Sequence, residues 1–430
     1  MLMTMVAVVF ILAYLSIATE HWIKINKSAI ALLAAGLMWT LYAFASPLGA
    51  ENVSHQLTEK LAETAAIVFF LICAMTIVEV IDAHGGFEVI TSRIKATKLT
   101  SLLWIIGFIA FYLSSILDNM TTTIVMVALM KRLLKDHKQR MFFAGIIVLA
   151  ANAGGAWSPI GDMTTTMLWI GGQISTGNII KGLWIASMLN LLVPLILATV
   201  FIEFLKGDIV PPDKVETDMV KTSRFENTFM FFMGIGALIF VPVFKAVTHL
   251  PPYLGILLAL GILWLTGNLL HRNKPAEEKE HLTLTKALRR IDMASAVFFI
   301  GILLAVAALS ANGMLPSLAR WLDAKLGNQT LIVILIGMAS AVVDNIPLVA
   351  ASMGMYPLAQ FPTDSFIWEF MAYCAGTGGS ILIIGSAAGV AAMGLEKIEF
   401  FWYARKIGPL AFLGYFAGVA VYIVQYNLLH

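Results

Sequence analysis

Two short acidic motifs interrupt apolar stretches of the chain, one in each half. Asp118-Asn119 lies in the first stretch and Asp344-Asn345 in the second. A carboxylate inside a membrane-length apolar stretch is costly and is by default a candidate functional group. Because burial disfavours its ionised form, such a group can hold a proton at one moment and a bare cation at another. The two motifs therefore predict competition between protons and cations.

Further oxygen donors flank these acids. About thirty residues after each motif comes a Gly-rich segment, and the first of these contains another acid, Asp162, whereas the second contains none. Carboxylate, amide and hydroxyl oxygens suit a hard cation, and the carbonyl end of a helix favours positive charge. The candidate ligands are Asp118, Asn119, Thr121, Thr122, Asn152, Ser158, Asp162, Thr164, Asp344, Asn345, Thr377 and Ser380.

Each candidate also has a structural interpretation. Asp118, Asp162 or Asp344 could cap the helix that follows it. Asn152 could form a hydrogen bond between helices. The hydroxyls of Thr164, Thr377 and Ser380 could pack or bond to the backbone. The residue types alone leave both interpretations open.

The composition indicates a membrane protein. The chain is 59% hydrophobic and only 13% charged, with a mean hydropathy of +0.86, whereas soluble domains contain about 25% charged residues. Many apolar runs reach the roughly 20 residues that cross a bilayer as a helix. We therefore expect an all-α polytopic membrane protein. The net charge of +2 gives no sign of a nucleic-acid partner, and Cys73 and Cys374 lie in apolar segments, as core residues do.

The order of the apolar segments predicts two similar halves. Asp118 and Asp344 are 226 positions apart, and Gly155 and Gly379 are 224 apart. We expect five crossings and one re-entrant hairpin in each half, with one crossing broken at mid-membrane. An odd number of crossings places the second half upside down, as in the inverted repeats of secondary transporters. The predicted parts are 1–206 (hairpin 101–133, broken helix 141–175), a cytoplasmic linker 207–226, and 227–430 (hairpin 328–359, broken helix 366–395).

The basic residues orient this arrangement. With the N-terminus outside, most Lys and Arg residues fall in predicted cytoplasmic loops, as the positive-inside rule requires. Both termini are then periplasmic. Every Lys, Arg and His lies in a loop or near a membrane surface, so the deep charges are all acidic, which favours a cationic substrate. The basic residues on the predicted outer side are Lys60, Lys181, Lys245, Arg320 and Lys325.

Enzymatic functions find little support in the sequence. The chain has no Cys/His metal cluster, phosphate-binding loop or nucleophile elbow, so we expect neither an enzyme nor a cofactor. Two membrane aspartates could form a protease pair, but Pro159 stands where the Gly-x-Gly-Asp signature of such proteases would place its first glycine before Asp162. A passive channel would conduct without a proton-coupled step.

The motifs resemble those of the NhaD-type sodium/proton antiporters. These belong to a superfamily of ion transporters that includes arsenite permeases and sodium/dicarboxylate symporters. The resemblance covers nearly the whole chain. In the symporter relatives a Ser-Asn-Thr motif occupies the position of Asp118-Asn119-Met120, so an acid here replaces a hydroxyl. The matching segments are 115–123, 151–166, 343–347 and 376–380.

The resemblance implies exchange of cytoplasmic Na⁺ or Li⁺ for external H⁺. It further implies a homodimer in the lipid of a bacterial inner membrane, and it adds Glu63 as a further site candidate. The alternative is a sodium-coupled anion symporter of the same fold, such as a dicarboxylate symporter, because helix N-termini can hold anions. The implied ion-binding residues are Asp118, Asn119, Asn152, Asp162, Thr164, Asp344 and Asn345, of which Asp118, Asn119, Asp162, Asp344 and Asn345 would hold Na⁺.

Overall fold

The computed structural model of the chain is built from helices, as the sequence predicted. It describes residues 2–19, 23–47, 49–91, 94, 96–210, 223–275, 279 and 281–429. Within these residues the only β-type pairing is an isolated bridge between Lys98 and Asp208. Most of the predicted linker, 211–222, lies outside the described residues.

The predicted linker separates two sets of helices. Those before the linker are α1 (Leu2–Ala18), α2 (Lys27–Ala45), α3 (Gly49–Ala83), α4 (Glu88–Thr91), α5 (Leu99–Ser114), α6 (Asn119–Leu133), α7 (His137–Ala156), α8 (Met163–Ile170) and α9 (Thr176–Phe201). Those after it are α10 (Arg224–Thr248), α11 (Pro252–Leu270), α12 (Leu284–Arg290), α13 (Met293–Ala311), α14 (Met314–Leu326), α15 (Gln329–Ala339), α16 (Asn345–Met355), α17 (Phe366–Gly378), α18 (Ala387–Glu396), α19 (Phe400–Lys406) and α20 (Gly408–Leu429). A short 3₁₀ helix spans Glu203–Lys206.

Seven helices in the described part of the chain are long and apolar enough to cross a membrane. They are α2, α3, α9, α10, α11, α13 and α20. Helices α14 and α15 pass the same test together but meet at 115°. The chain is therefore a multi-pass membrane protein.

Each polar motif singled out in the sequence lies where one helix ends and another begins. The Asp-Asn motifs separate α5 from α6 and α15 from α16, and the Gly-rich segments separate α7 from α8 and α17 from α18. A helix break leaves carbonyls and N–H groups without intrahelical partners. The four breaks therefore collect polar groups inside an apolar protein. They occupy residues 115–118, 157–162, 340–344 and 379–386.

Glycines let the broken helices pack directly on backbone. A Cβ atom at Gly154 would overlap the carbonyl oxygen of Phe111 in α5, and one at Gly378 would overlap that of Gly337 in α15. No side chain fits between backbones at this separation. Each Gly-rich break is thereby held against the helix that precedes the Asp-Asn motif.

In each half, a serine hydroxyl connects the helix before the Asp-Asn motif to the helix before the Gly-rich break. The Ser114 hydroxyl donates a hydrogen bond to the carbonyl of Ala151 at 2.7 Å. The Ser340 hydroxyl donates to the carbonyl of Ala375 at 3.0 Å. These bonds connect each motif to the helix that ends at the neighbouring break. The two breaks of each half are therefore placed side by side.

Basic side chains meet the C-terminal ends of α8 and α18, the two helices that follow the Gly-rich breaks. The Lys245 ammonium donates to the Trp169 carbonyl at 2.6 Å and lies 4.5 Å from the centre of that ring. The Lys131 ammonium donates to the Leu395 carbonyl at 2.9 Å. Positive charge at a helix C-terminus is stabilising, so these contacts hold both helices in place.

Candidate functional site

The three predicted site acids are helix N-caps. Asp118, Asp162 and Asp344 begin α6, α8 and α16, so the capping interpretation is correct for each. Their donors are the backbone N–H groups of Thr121 (2.8 Å), Thr164 (2.8 Å) and Ile346 (3.3 Å). An ionised carboxylate has about four lone-pair sites on two oxygens. One oxygen can cap the helix while the other binds a second partner, so capping and ion binding are compatible.

Asp162 is the central acid of the three. Its side chain is buried, and the residue is only 1% exposed. Its Oδ1 atom also accepts a hydrogen bond from the Thr164 hydroxyl at 2.7 Å, and its Oδ2 atom accepts one from the Asn119 amide at 2.6 Å. Asp118 and Asp344 are close enough for their carboxylates to repel a negative charge on Asp162. A buried carboxylate with two acids nearby needs donors, a proton or a cation for balance.

A chain of buried amides and hydroxyls connects Asp162 to the second half of the protein. The Asn119 amide nitrogen donates to Asn152 Oδ1 at 2.8 Å as well as to Asp162. The Asn152 amide nitrogen donates to the hydroxyl oxygens of Ser380 at 2.8 Å and Ser386 at 3.0 Å. Asn152 therefore forms hydrogen bonds between helices, and it is also a member of the polar cluster around Asp162.

Asp118 and Asp162 share a small enclosed cavity. Its volume is about 20 Å³, and apolar side chains such as Phe70 and Val241 form most of its wall. A cavity of at least about 10–15 Å³ holds one water molecule. The space therefore suits a single water or a single bare monovalent cation between two carboxylates. The second oxygen of Asp118 accepts a hydrogen bond from the Thr121 hydroxyl at 2.6 Å.

Asp344 faces a much larger and more open cavity. This cavity has a volume of about 550 Å³, and Lys24, Lys27 and Ser386 also line it. Ser386 in turn accepts the hydrogen bond from Asn152. A continuous chain of hydrogen bonds, here called the polar route, thus leads from the wall of the open cavity through Ser386, Asn152 and Asn119 to Asp162.

Comparison with known proteins decides the family. The chain matches the Citrate transporter family (CitMHS) over residues 14–376. It is 49% identical to Sodium/proton antiporter 1 of Arabidopsis thaliana over 98% of its own length and 72% of that protein. It is 47% identical to Sodium/proton antiporter 2 of the same plant, over 98% and 99%. The Na(+)/H(+) antiporter NhaD of Vibrio cholerae is 30% identical over 97% of this chain and 90% of that protein.

The chain belongs to the NhaD-type sodium/proton antiporter family, within the citrate transporter family. The family predicted from the motifs is therefore confirmed. These relatives are named as transporters, in agreement with the expectation that the chain is not an enzyme.

The other predicted residues of this NhaD-type chain take different positions. Asn345 is buried next to Asp344. The buried Thr122 hydroxyl has no hydrogen-bond partner among the described residues. Thr377 instead donates to the backbone carbonyl of Tyr373 at 2.7 Å. Ser158 accepts a long 3.4 Å bond from the backbone of its own break.

Glu63 lies apart from the polar cluster. Its carboxylate is well exposed and pairs with Lys60 at 2.8 Å. Both residues line a separate cavity of about 570 Å³, together with Met167 and Ile170. The structure thus brings Asp118, Asn119, Asn152, Asp162, Thr164, Ser380 and Ser386 together around one bond network, with Asp344 at its open edge.

Two ionisable residues escaped the sequence reasoning. Lys27 was expected at a membrane surface with all deep charges acidic, but its ammonium lies 3.0 Å from Asp344 Oδ2. Glu369 is a further buried acid, and its carboxylate accepts a hydrogen bond from the Tyr422 hydroxyl at 3.0 Å. The sequence of an apolar helix with one charge near its end does not indicate which distant residue that charge will contact.

Proposed function

We propose that the chain exchanges Na⁺ or Li⁺ for H⁺, and that the two compete for the carboxylates of Asp118, Asp162 and Asp344. The observation that carries this proposal is the placement of three acids as N-caps at helix breaks, around a connected set of amide and hydroxyl oxygens. Oxygen donors of this kind replace the hydration shell of a hard cation. The names of the relatives support the same pair of ions.

Competition for one set of carboxylates is sufficient for exchange. A proton neutralises a carboxylate that would otherwise hold the cation, so the two occupants exclude each other. The cation leaves the cytoplasm through the cavity at Asp344 and reaches Asp162 by way of Ser386 and Asn152. External protons then take its place on the same acids.

The alternative, anion symport, fits the helix ends less well. An anion would bind at a free helix N-terminus. The N-termini of α6, α8 and α16 already hold carboxylates, and Ser386 caps α18. The ammonium of Lys27 faces Asp344. An anion at this place would meet the carboxylates of Asp118 and Asp162, which have no such basic partner among the described residues.

We also propose that the two halves form an inverted repeat with one hairpin each. The two helix breaks in each half, an Asp-Asn motif followed by a Gly-rich segment, support this arrangement. So do the contacts of Gly154 with Phe111 and of Gly378 with Gly337, which recur after 224 and 226 positions. Hairpins that enter from opposite faces would bring both Asp-Asn motifs to a common depth.

The membrane and the oligomeric state remain predictions of the family resemblance. We propose a homodimer with both termini on the outer face. The relatives named above come from a plant and from a bacterium. The bacterial inner membrane is therefore proposed from the resemblance alone.

Everted membrane vesicles give a direct test of the exchange. Respiration acidifies their interior, and addition of Na⁺ or Li⁺ is expected to dissipate this pH gradient, while choline leaves it intact. A fluorescent pH-gradient dye measures the change. Asp162→Asn is expected to reduce the response to background, because asparagine can still cap α8 but cannot bind a proton or balance a cation charge.

The chain offers a matched control for the loss of an acidic cap. Asp136 caps α7 through the N–H of Lys138 at 2.7 Å and is exposed, far from the cluster. Asp136→Asn should therefore keep full exchange. If wild-type vesicles do not respond to Na⁺ or Li⁺, the proposed function is wrong; full activity of Asp162→Asn would remove that residue from the site.

A further inference from the structure

Lys27 occupies an electrostatically unfavourable position in its own helix. It is the first residue of α2, whose N-cap is Asn26. The N-terminus of a helix carries the positive end of the dipole and disfavours a cation. Its ammonium lies 3.0 Å from Asp344 Oδ2 and 4.5 Å from the centre of the Phe298 ring. These partners belong to other helices and compensate the unfavourable placement.

Lys27 takes the oxygen of Asp344 that a transported cation would need. Asp344 Oδ1 caps α16 through the Ile346 N–H, and Oδ2 receives the ammonium. Among the described residues, neither Asp118 nor Asp162 has a basic side chain within ion-pair distance. Of the three acids, Asp344 is thus the one whose charge is already balanced by the protein.

The pair also lies at the mouth of the polar route. Lys27 and Asp344 line the open cavity together with Ser386, and their side chains are 27% and 12% exposed. A cation that enters from this cavity meets the ion pair before it reaches the buried amides. The ammonium and the cation cannot occupy the same carboxylate oxygen.

We propose that Lys27 is a resident competitor of the transported cation, whose ammonium holds Asp344 until an incoming Na⁺ or Li⁺ displaces it. This inference rests on the proposed cation exchange. The displacement sets a threshold for cation entry. It also keeps the empty site from presenting a bare carboxylate to the open cavity. Lys27 is accordingly a residue that determines cation affinity, not a simple anchor of α2.

Neutral and charged replacements of Lys27 are expected to act in opposite directions. Lys27→Met removes the competitor and should lower the KM for Na⁺ about two- to fivefold, the range that corresponds to a partly exposed ion pair. Lys27→Arg should raise the KM, because a guanidinium can bind a carboxylate through two N–H groups. The measurement is Na⁺-dependent exchange at one alkaline pH, where protons compete little.

Lys24→Met is the matched control. Lys24 lines the same cavity, so its loss removes the same charge from the cavity without removing the ion pair. Its KM should stay near that of the wild type. If the Lys27–Asp344 ion pair only held the two helices together, Lys27→Met would lower the turnover and would not lower the KM for Na⁺.

Chemical rescue compares one polypeptide with itself. In Lys27→Cys, an aminoethyl methanethiosulfonate reagent replaces the lost ammonium, as the thiolate forms a disulfide and methanesulfinate leaves. The two native cysteines are buried. The aminoethyl adduct should return the KM to the wild-type range, whereas the uncharged methyl adduct should not.

The outcomes separate this inference from the proposed function. An inactive wild type would overturn both. An active wild type whose KM is unchanged or higher in Lys27→Met, or unchanged in Lys27→Arg, would overturn the role of Lys27 and leave the exchange intact. If the neutral variants fail to reach the membrane, the Lys27→Arg result decides alone.

Discussion

At the residue scale, the site depends on side chains that satisfy two partners at once. Asn152 accepts from Asn119 and donates to Ser380 and Ser386. An amide can do this because it has both a carbonyl oxygen and an NH₂ group. A buried polar group that loses its partner costs about 1–3 kcal/mol. Removal of Asn152 would leave several such groups unmatched around Asp162.

We therefore expect Asn152→Ala to abolish most Na⁺-dependent exchange. The loss of exchange activity should be larger than the loss of stability can explain, since the amide is part of the proposed route to Asp162. Exchange per molecule of protein in vesicles measures the first effect, and the thermal unfolding midpoint in detergent measures the second.

Asn190 supplies the comparison for this variant. It is also a buried asparagine between helices, where its amide donates to the Tyr373 hydroxyl at 3.2 Å. Asn190→Ala should lower the unfolding midpoint by a similar amount yet keep most of the exchange. Equal losses of exchange in both variants would indicate that Asn152 is only a structural bond.

At the element scale, the helix breaks are held in place by backbone packed on backbone. A Cβ atom at Gly154 would overlap the Phe111 carbonyl, whereas one at Gly36 in α2 meets nothing within 4 Å. Overpacking of a filled interior costs about 1–3 kcal/mol. Glycine within a helix is itself about 0.5–1 kcal/mol less stable than alanine.

Gly154→Ala and Gly36→Ala should therefore shift stability in opposite directions. The first is expected to lower the unfolding midpoint in detergent and to reduce exchange, because α7 must move away from α5. The second should leave the midpoint unchanged or raise it. A Gly154→Ala protein as stable and active as Gly36→Ala would show that this close contact does not position the breaks.

The breaks could be predicted from the sequence because their signals are local. Glycines next to an acid or asparagine, within an apolar run, disfavour a continuous helix and supply new caps. The same signals predicted that Asp118, Asp162 and Asp344 would begin helices or bind ions, and both interpretations rest on the same carboxylates.

The partners across the fold could not be predicted in this way. The pairs Lys27–Asp344 and Asn152–Ser386 join residues more than 200 positions apart. Hydropathy and spacing report on one helix at a time, and a lysine near a helix end predicts only a membrane surface. Only the three-dimensional structure shows that the start of α2 lies beside the second Asp-Asn motif, where Lys27 contacts Asp344.

At the scale of the whole molecule, two large cavities are lined by charged side chains, in addition to the small cavity of Asp118 and Asp162. One of about 550 Å³ contains Lys24 and Asp344, and the other of about 570 Å³ contains Lys60 and Glu63. The small cavity of Asp118 and Asp162 is a separate space of about 20 Å³. Exchange requires that the site never opens to both sides together, and a small cavity separate from the two large ones fits that requirement.

The topology predicted from the distribution of basic residues would open the two large cavities to opposite membrane faces. We expect a membrane-impermeant thiol reagent to label Lys24→Cys only in everted vesicles, where the cytoplasmic face is outward. It should label Lys60→Cys only in right-side-out vesicles. Cys73 and Cys374 are buried, so the parent protein is the background control. Labelling of both positions from one face would contradict the predicted topology, and with it the inverted arrangement that brings Asp118 and Asp344 to one site.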